Sequence, residues 1–235
     1  MNTEIFDDAE QFASRAAAWI AGLIAAKRGT FRLALTGGET PRPLYRELGA
    51  HFRDRVDWSK VEFFWGDERF VPPDDPASNF GMARETLLAH IPVPAQNIHP
   101  IPTAGDPDAA ARAYEATLKN AYGAAALDPA QPLFDLVLLG LGDDGHICSL
   151  LPGSPVLDER QRWAAAVSHG RPEVRITLTY PPIQSSRVTA FLVTGEKKAE
   201  AVRSVRAGDT AMPGAHLKPE GELVWLLDRA AARLL

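Results

Sequence analysis

Phe134-Asp135-Leu136-Val137-Leu138-Leu139-Gly140-Leu141-Gly142-Asp143-Asp144-Gly145-His146 is the stretch that decides how this chain folds. Leu133–Leu139 is a short, almost continuous apolar run, the pattern of a strand buried on both faces of a parallel sheet. Gly140, Gly142 and Gly145 follow, so the backbone can turn tightly and approach a ligand closely. Two adjacent carboxylates and an imidazole close the stretch. In open α/β sheets ligands bind beyond the carboxyl ends of the strands, and an Asp/His pair delivered there can move a proton.

Working outward, the pattern alternates. Phe12, Ala16, Trp19, Ile20, Leu23 and Ile24 share one helical face, which predicts a helix near 8–28 with Gly29 as its stop. Phe31–Thr36 reads as a strand, Gly37-Gly38 as its turn, and Thr40-Pro41 as the cap and first turn of a helix over 41–49. Val61–Trp65 is a second strand that ends in a turn, Gly66-Asp67-Glu68-Arg69. Helices are predicted near 79–90 and 107–123, the latter capped by Asp106-Pro107. Arg175–Leu178 and Val188–Val193 are β-rich, 196–206 is helical, Leu223–Leu227 is a last strand, and 228–234 a short final helix. Repeated strand–helix alternation predicts an α/β fold in one domain over 1–235: a mostly parallel sheet with helices on both faces.

At 235 residues the chain can bury a large core, and its 46% hydrophobic and 23% charged content is ordinary for a globular protein. A formal net charge of −5 offers no basic field for nucleic acid, and no apolar run reaches membrane-spanning length. The stretch Met1–Asp8 is acidic and lacks the basic start of a secretory signal. A single cysteine, Cys148, excludes an internal disulfide and a multi-cysteine zinc site. The expectation is a cytoplasmic monomer that uses no metal and no cofactor, and binds neither nucleic acid nor membrane.

Four strands end in polar turns: Thr36–Thr40, Gly66–Arg69, Gly140–His146 and Thr194–Lys197. In a parallel sheet all four meet at one edge. Together they supply glycine N–H groups, a helix N-terminus, an arginine, a lysine and an Asp/His pair, the inventory for holding an anionic metabolite and moving a proton beside it. Arg69 can grip an oxyanion with two N–H groups, and Arg175 can reach the same anion. Glu39 would repel a phosphate and is expected to point away. Lys197 is preferred to Lys198 as the anion ligand because it lies nearer the turn. His146 is the candidate base, since an imidazole titrates near neutrality, and a nearby Asp would orient its ring. Cys148 lies in an apolar run and reads as a small core residue.

Taken in order, Gly-Gly-Glu-Thr-Pro (37–41), Gly-Asp-Glu-Arg-Phe-Val-Pro (66–72), Ser-Asn-Phe (78–80), Gly-Leu-Gly-Asp-Asp-Gly-His (140–146), Ser-Leu-Leu-Pro-Gly (149–153), Arg-Ile-Thr-Leu-Thr (175–179) and Gly-Glu-Lys-Lys (195–198) resemble the motifs of 6-phosphogluconolactonases. The resemblance spans nearly the whole chain. It implies a modified Rossmann-like fold shared with glucosamine-6-phosphate deaminases and CoA transferases. It also implies hydrolysis of a sugar-phosphate lactone in the oxidative pentose phosphate pathway.

Carried over by residue, His146 matches the catalytic histidine, Asp144 and Gly145 its Asp-Gly-His motif, Arg69 the arginine of Asp-Glu-Arg, and Lys197 the phosphate lysine. Chemically, His146 would deprotonate water, oriented by Asp144 or Asp143, with Arg69 available to the oxyanion. The expected substrate contacts are Gly37, Gly38, Thr40, Asp67, Arg69, Gly142, Gly145, Arg175 and Lys197. The deaminases instead resemble this chain at Asp-Gly-His but carry an acid at the position of Leu151 and tend to have tyrosine at that of Arg69; both differences favour the lactonase. A sugar-phosphate sensor on the same fold would carry a DNA-binding helical module, which this sequence does not show.

Overall fold

The computed structural model describes residues 2–235; Met1 lies outside the described residues. The chain enters through β1 (Asn2–Phe6), a strand the sequence reading missed, and α1 (Ala9–Ala26). Asp8 caps α1 by accepting the Gln11 N–H at 2.8 Å, and Phe12, Ala16, Ile20 and Ile24 form its buried stripe. The helix stops at Ala26; Gly29, with φ +77°, turns the connection that follows. Next come β2 (Phe31–Leu35), α2 (Pro41–His51), β3 (Val61–Trp65) and β4 (Asp67–Arg69). Thr40 does not cap α2 with its side chain: its backbone is already helical, and its hydroxyl lies 3.2 Å from that of Thr194.

The middle of the chain holds α3 (Asn79–Thr86), α4 (Pro107–Tyr122), β5 (Phe134–Leu139) and β6 (Ala164–Val167). The helix expected to 90 ends at Thr86, and Leu88–His90 is a separate 3₁₀ turn. After β7 (Arg175–Leu178) and α5 (Tyr180–Gln184), the chain runs through β8 (Ser186–Val193), a 3₁₀ turn over Glu196–Lys198, α6 (Ala199–Arg206) and β9 (Glu222–Asp228). The final helix expected over 228–234 is a turn, in which Asp228 accepts the N–H of Ala231 at 2.7 Å and that of Gly195 at 3.0 Å.

Six strands form one parallel sheet in the order β1-β9-β8-β5-β2-β3. β5 lies inside it, between β8 and β2, and all six of its residues are buried. Register keeps the carboxyl ends level: Leu35 pairs with Trp65, Leu139 with Phe191, and Val193 with Leu227. The turns after β2, β3, β5 and β8 therefore meet at one edge. Helices α1, α2 and α3 pack in series, while α4 packs against β6 and β7.

The sequence gives no sign of the second sheet, antiparallel, in the order β4-β7-β6. Asp67–Arg69, expected to be a turn, is its first strand. Its apolar residues Ala164, Ile176 and Leu178 join the same continuous core as the large sheet.

Candidate active site

The turn after β5 is built around a close approach. Gly142 N–H donates to the His146 carbonyl at 2.9 Å, and Gly145, with φ +75°, turns the chain between them. His146 Nδ1 lies 2.5 Å from Asp144 Oδ1. A side chain at Gly142 would occupy the same space: an added Cβ would lie 2.0 Å from His146 Nδ1 and 2.6 Å from Asp144 Oδ1. The Asp144 carboxyl is held below the usual carboxylate range; burial works against this, and hydrogen bonds from His146 and the Arg171 charge outweigh it. An ionised carboxylate only accepts, so the His146 Nδ1–H donates to it and Nε2 is the basic nitrogen.

Of the two adjacent carboxylates only Asp144 serves the imidazole. Asp143 points outward, mostly exposed, and pairs with Lys198 at 2.6 Å. Sequence reasoning missed Arg171, whose Nη2 donates to Asp144 Oδ2 at 3.0 Å. It lies in the connection between β6 and β7, where no periodicity or motif marks it.

β4 and β7 supply the positive wall. In their antiparallel ladder Arg69 stands directly opposite Arg175. Like charges in that position repel. The Nε of each is buried with no partner among the described residues. Arg69 Nη1 donates to the Ala77 carbonyl at 2.5 Å, and Arg175 lies 4.0 Å from Glu173. Burial, and then the neighbouring Arg69 charge, lower the Arg175 guanidinium from its usual range, against the pull of Asp67. Two desolvated cations with unused donors on facing positions are a site for an oxyanion.

Glu68 fixes this wall. Its buried carboxylate accepts the N–H groups of Asn79 and Phe80, both at 2.7 Å, and of Arg69 at 2.8 Å, together with the Ser78 hydroxyl at 3.0 Å. It thereby ties the start of α3 to β4. Asp67 accepts the Ser149 hydroxyl at 2.6 Å. Asn79 crowds Gly37, where a Cβ would come 1.8 Å from Asn79 Oδ1.

These groups enclose one cavity of about 380 Å³, lined among others by Gly37, Gly38, Thr40, Asp67, Arg69, Asn79, Gly142, His146, Arg175 and Lys198. Asp144 and Gly145 are not in its wall; Asp144 backs His146. Glu39 reaches the rim, but its carboxylate is exposed and turned to Arg42 at 3.1 Å, as expected. Lys197 is the one expected anion ligand that the cavity lacks. It lines a neighbouring groove with Thr194 and Gly195, and Lys198 takes its place in the site. Cys148 also lines the cavity, with φ +49°, and burial pushes its thiol well above its ordinary value, so it is no thiolate nucleophile.

Known proteins are similar to this chain over nearly its whole length. The sequence model of the family described as glucosamine-6-phosphate isomerases/6-phosphogluconolactonase matches residues 7–225. A 6-phosphogluconolactonase of Mycobacterium tuberculosis is 43% identical over 244 residues, covering 99% of this chain and 97% of the relative. The solved 6-phosphogluconolactonase of Trypanosoma cruzi superposes with a TM-score of 0.87 at 29% identity, covering 100% of this chain and 96% of that one. A monomeric glucosamine-6-phosphate deaminase superposes with a TM-score of 0.84 at 26% identity over the whole of both chains.

Proposed function

The chain belongs to the family of glucosamine-6-phosphate isomerases and 6-phosphogluconolactonases, and from that premise we propose that it is an enzyme of the second kind. It hydrolyses 6-phosphoglucono-1,5-lactone to 6-phosphogluconate, a step of the pentose phosphate pathway. One observation carries the mechanism: the His146–Asp144 pair and the facing Arg69–Arg175 pair open on the same cavity.

The cations hold the phosphate, with Lys198 as the third positive group, and so place the lactone carbonyl beside the imidazole. His146 Nε2 takes a proton from water as the oxygen attacks C1, while Asp144 stabilises the imidazolium that forms. The carbonyl oxygen becomes an oxyanion, met by N–H groups of the glycine turns at Gly37-Gly38 and Gly142. When the tetrahedral species collapses, the ring oxygen leaves and the imidazolium returns the proton to it. The sugar then opens as a carboxylic acid at C1, which releases its remaining water-derived proton to solvent to give the carboxylate. Nucleophile, leaving group and the catalytic proton balance within the site, one proton leaves with the product acid, and no step draws on a cofactor.

Within the family, Leu151 and Arg69 favour hydrolysis over deamination. Leu151 is 2% exposed, a core residue that offers no carboxylate to the sugar. Arg69 supplies charge where the deaminases tend to have tyrosine. In the same proposal the protein is a cytoplasmic monomer. The assay is direct: the lactone is generated in situ and its decay followed with and without the protein. Acceleration over spontaneous hydrolysis is expected. Ammonia release from glucosamine 6-phosphate with no effect on the lactone would assign the site to the deaminases instead.

A further inference from the structure

We propose that Arg171 is a positioning residue for the base, which locks the Asp144 carboxylate in the one orientation that aligns His146. The inference rests on the lactonase reading of the site. Asp144 divides its oxygens between two residues: Oδ1 receives the His146 Nδ1–H at 2.5 Å and its backbone N–H at 3.3 Å, and Oδ2 receives the Arg171 guanidinium at 3.0 Å, with Nη2 also 3.5 Å from His146 Nδ1. With His146 alone, the carboxylate is held at Oδ1 only and can tilt about that oxygen. With both partners it has a single arrangement, and the imidazole is fixed through it. Asp144 is more than a third exposed, so burial does not hold it in place.

Arg171 reaches this carboxylate from the other sheet. His146 and Asp144 follow β5 of the parallel sheet, while Arg171 precedes β7 by four residues. The same strand opens with Arg175, in the phosphate wall. One short segment therefore carries a cation for the substrate and a clamp for the base.

The test combines kinetics with a spectroscopic readout. R171A should lower kcat about tenfold, the loss of one charge-assisted hydrogen bond, with KM changed less than about twofold. R171K should recover part of kcat, and D144N/R171A should be no slower than D144N. The His146 Nδ1 proton should exchange faster with solvent in R171A by NMR, a readout that needs no turnover. Unchanged kcat, a rise in KM alone, or losses that multiply with those of D144N would overturn the role. A wild-type protein inactive on the lactone would refute the lactonase reading, while the proton-exchange comparison would still decide whether Arg171 holds the pair.

Discussion

Gly142 shows how narrow the tolerances are at single residues. Alanine there has ordinary backbone freedom but must push the imidazole off Asp144, because its Cβ would stand 2.0 Å from Nδ1. G142A should lose about a hundredfold in kcat with less than about 1 kcal/mol of stability, since only an end of a part-exposed side chain has to move. Steady-state kinetics and a thermal melt check both halves. R69A and R175A should behave differently, raising KM about tenfold or more each while kcat changes less, because each removes a charge from bound substrate and from the transition state alike. Asp144 gives a pH prediction with a defined sign. Its folded-state pKa is depressed, so its contribution to stability is present above the unfolded value and lost as pH falls through the folded one. Relative to D144N, wild-type protein should therefore lose stability as pH falls below about 4. Urea titrations of both proteins above and below that pH measure it.

At the level of elements, Glu68 joins β4 to α3 and so sets where Arg69 and Asn79 stand. E68A leaves three N–H donors without their acceptor in a buried place and should cost about 2–3 kcal/mol in urea unfolding. Its KM should rise too, as the arginine wall loosens. The same strand marks where sequence reading succeeds and where it fails. β2, β3, β5 and β7 were legible because apolar or β-branched residues fill them. β4 is Asp-Glu-Arg and β6 is Ala-Ala-Ala-Val, and neither has a strand's composition. They are strands only because each pairs with β7, a long-range register that no local window contains. The lysine assignment failed for a related reason. Lys197 and Lys198 are neighbours in a 3₁₀ turn, where successive side chains point about 120° apart, so only the turn's position decides which one enters the cavity. His146, Asp144 and Arg69 were legible as candidates because they follow parallel strands whose turns converge, whereas Arg175, which opens β7, was singled out only as a cation in reach of the same anion. Arg171 was not, because a lone arginine in a connection gives no such signal.

Across the whole molecule, the site is assembled between two sheets that share one core. The proton acceptor stands at the edge of the parallel sheet and the cations on the antiparallel one. Because both pack into the same apolar cluster, heating should unfold them together, with far-UV circular dichroism and tryptophan fluorescence reporting one coincident transition; separate transitions would divide the chain into two units. The exposed large apolar residues among those described are Ile5, Leu234 and Leu235. On the proposed monomeric state, light scattering across a range of concentrations should return the mass of one chain. The central claim is that His146 is the base for water attack while the arginine pair holds the phosphate independently. Turnover of in situ lactone by H146A, measured beside its affinity for 6-phosphogluconate, tests both parts at once. The H146A kcat should fall by about a hundred- to ten-thousandfold with product affinity nearly unchanged. A variant that turns over the lactone at close to the wild-type rate would contradict it.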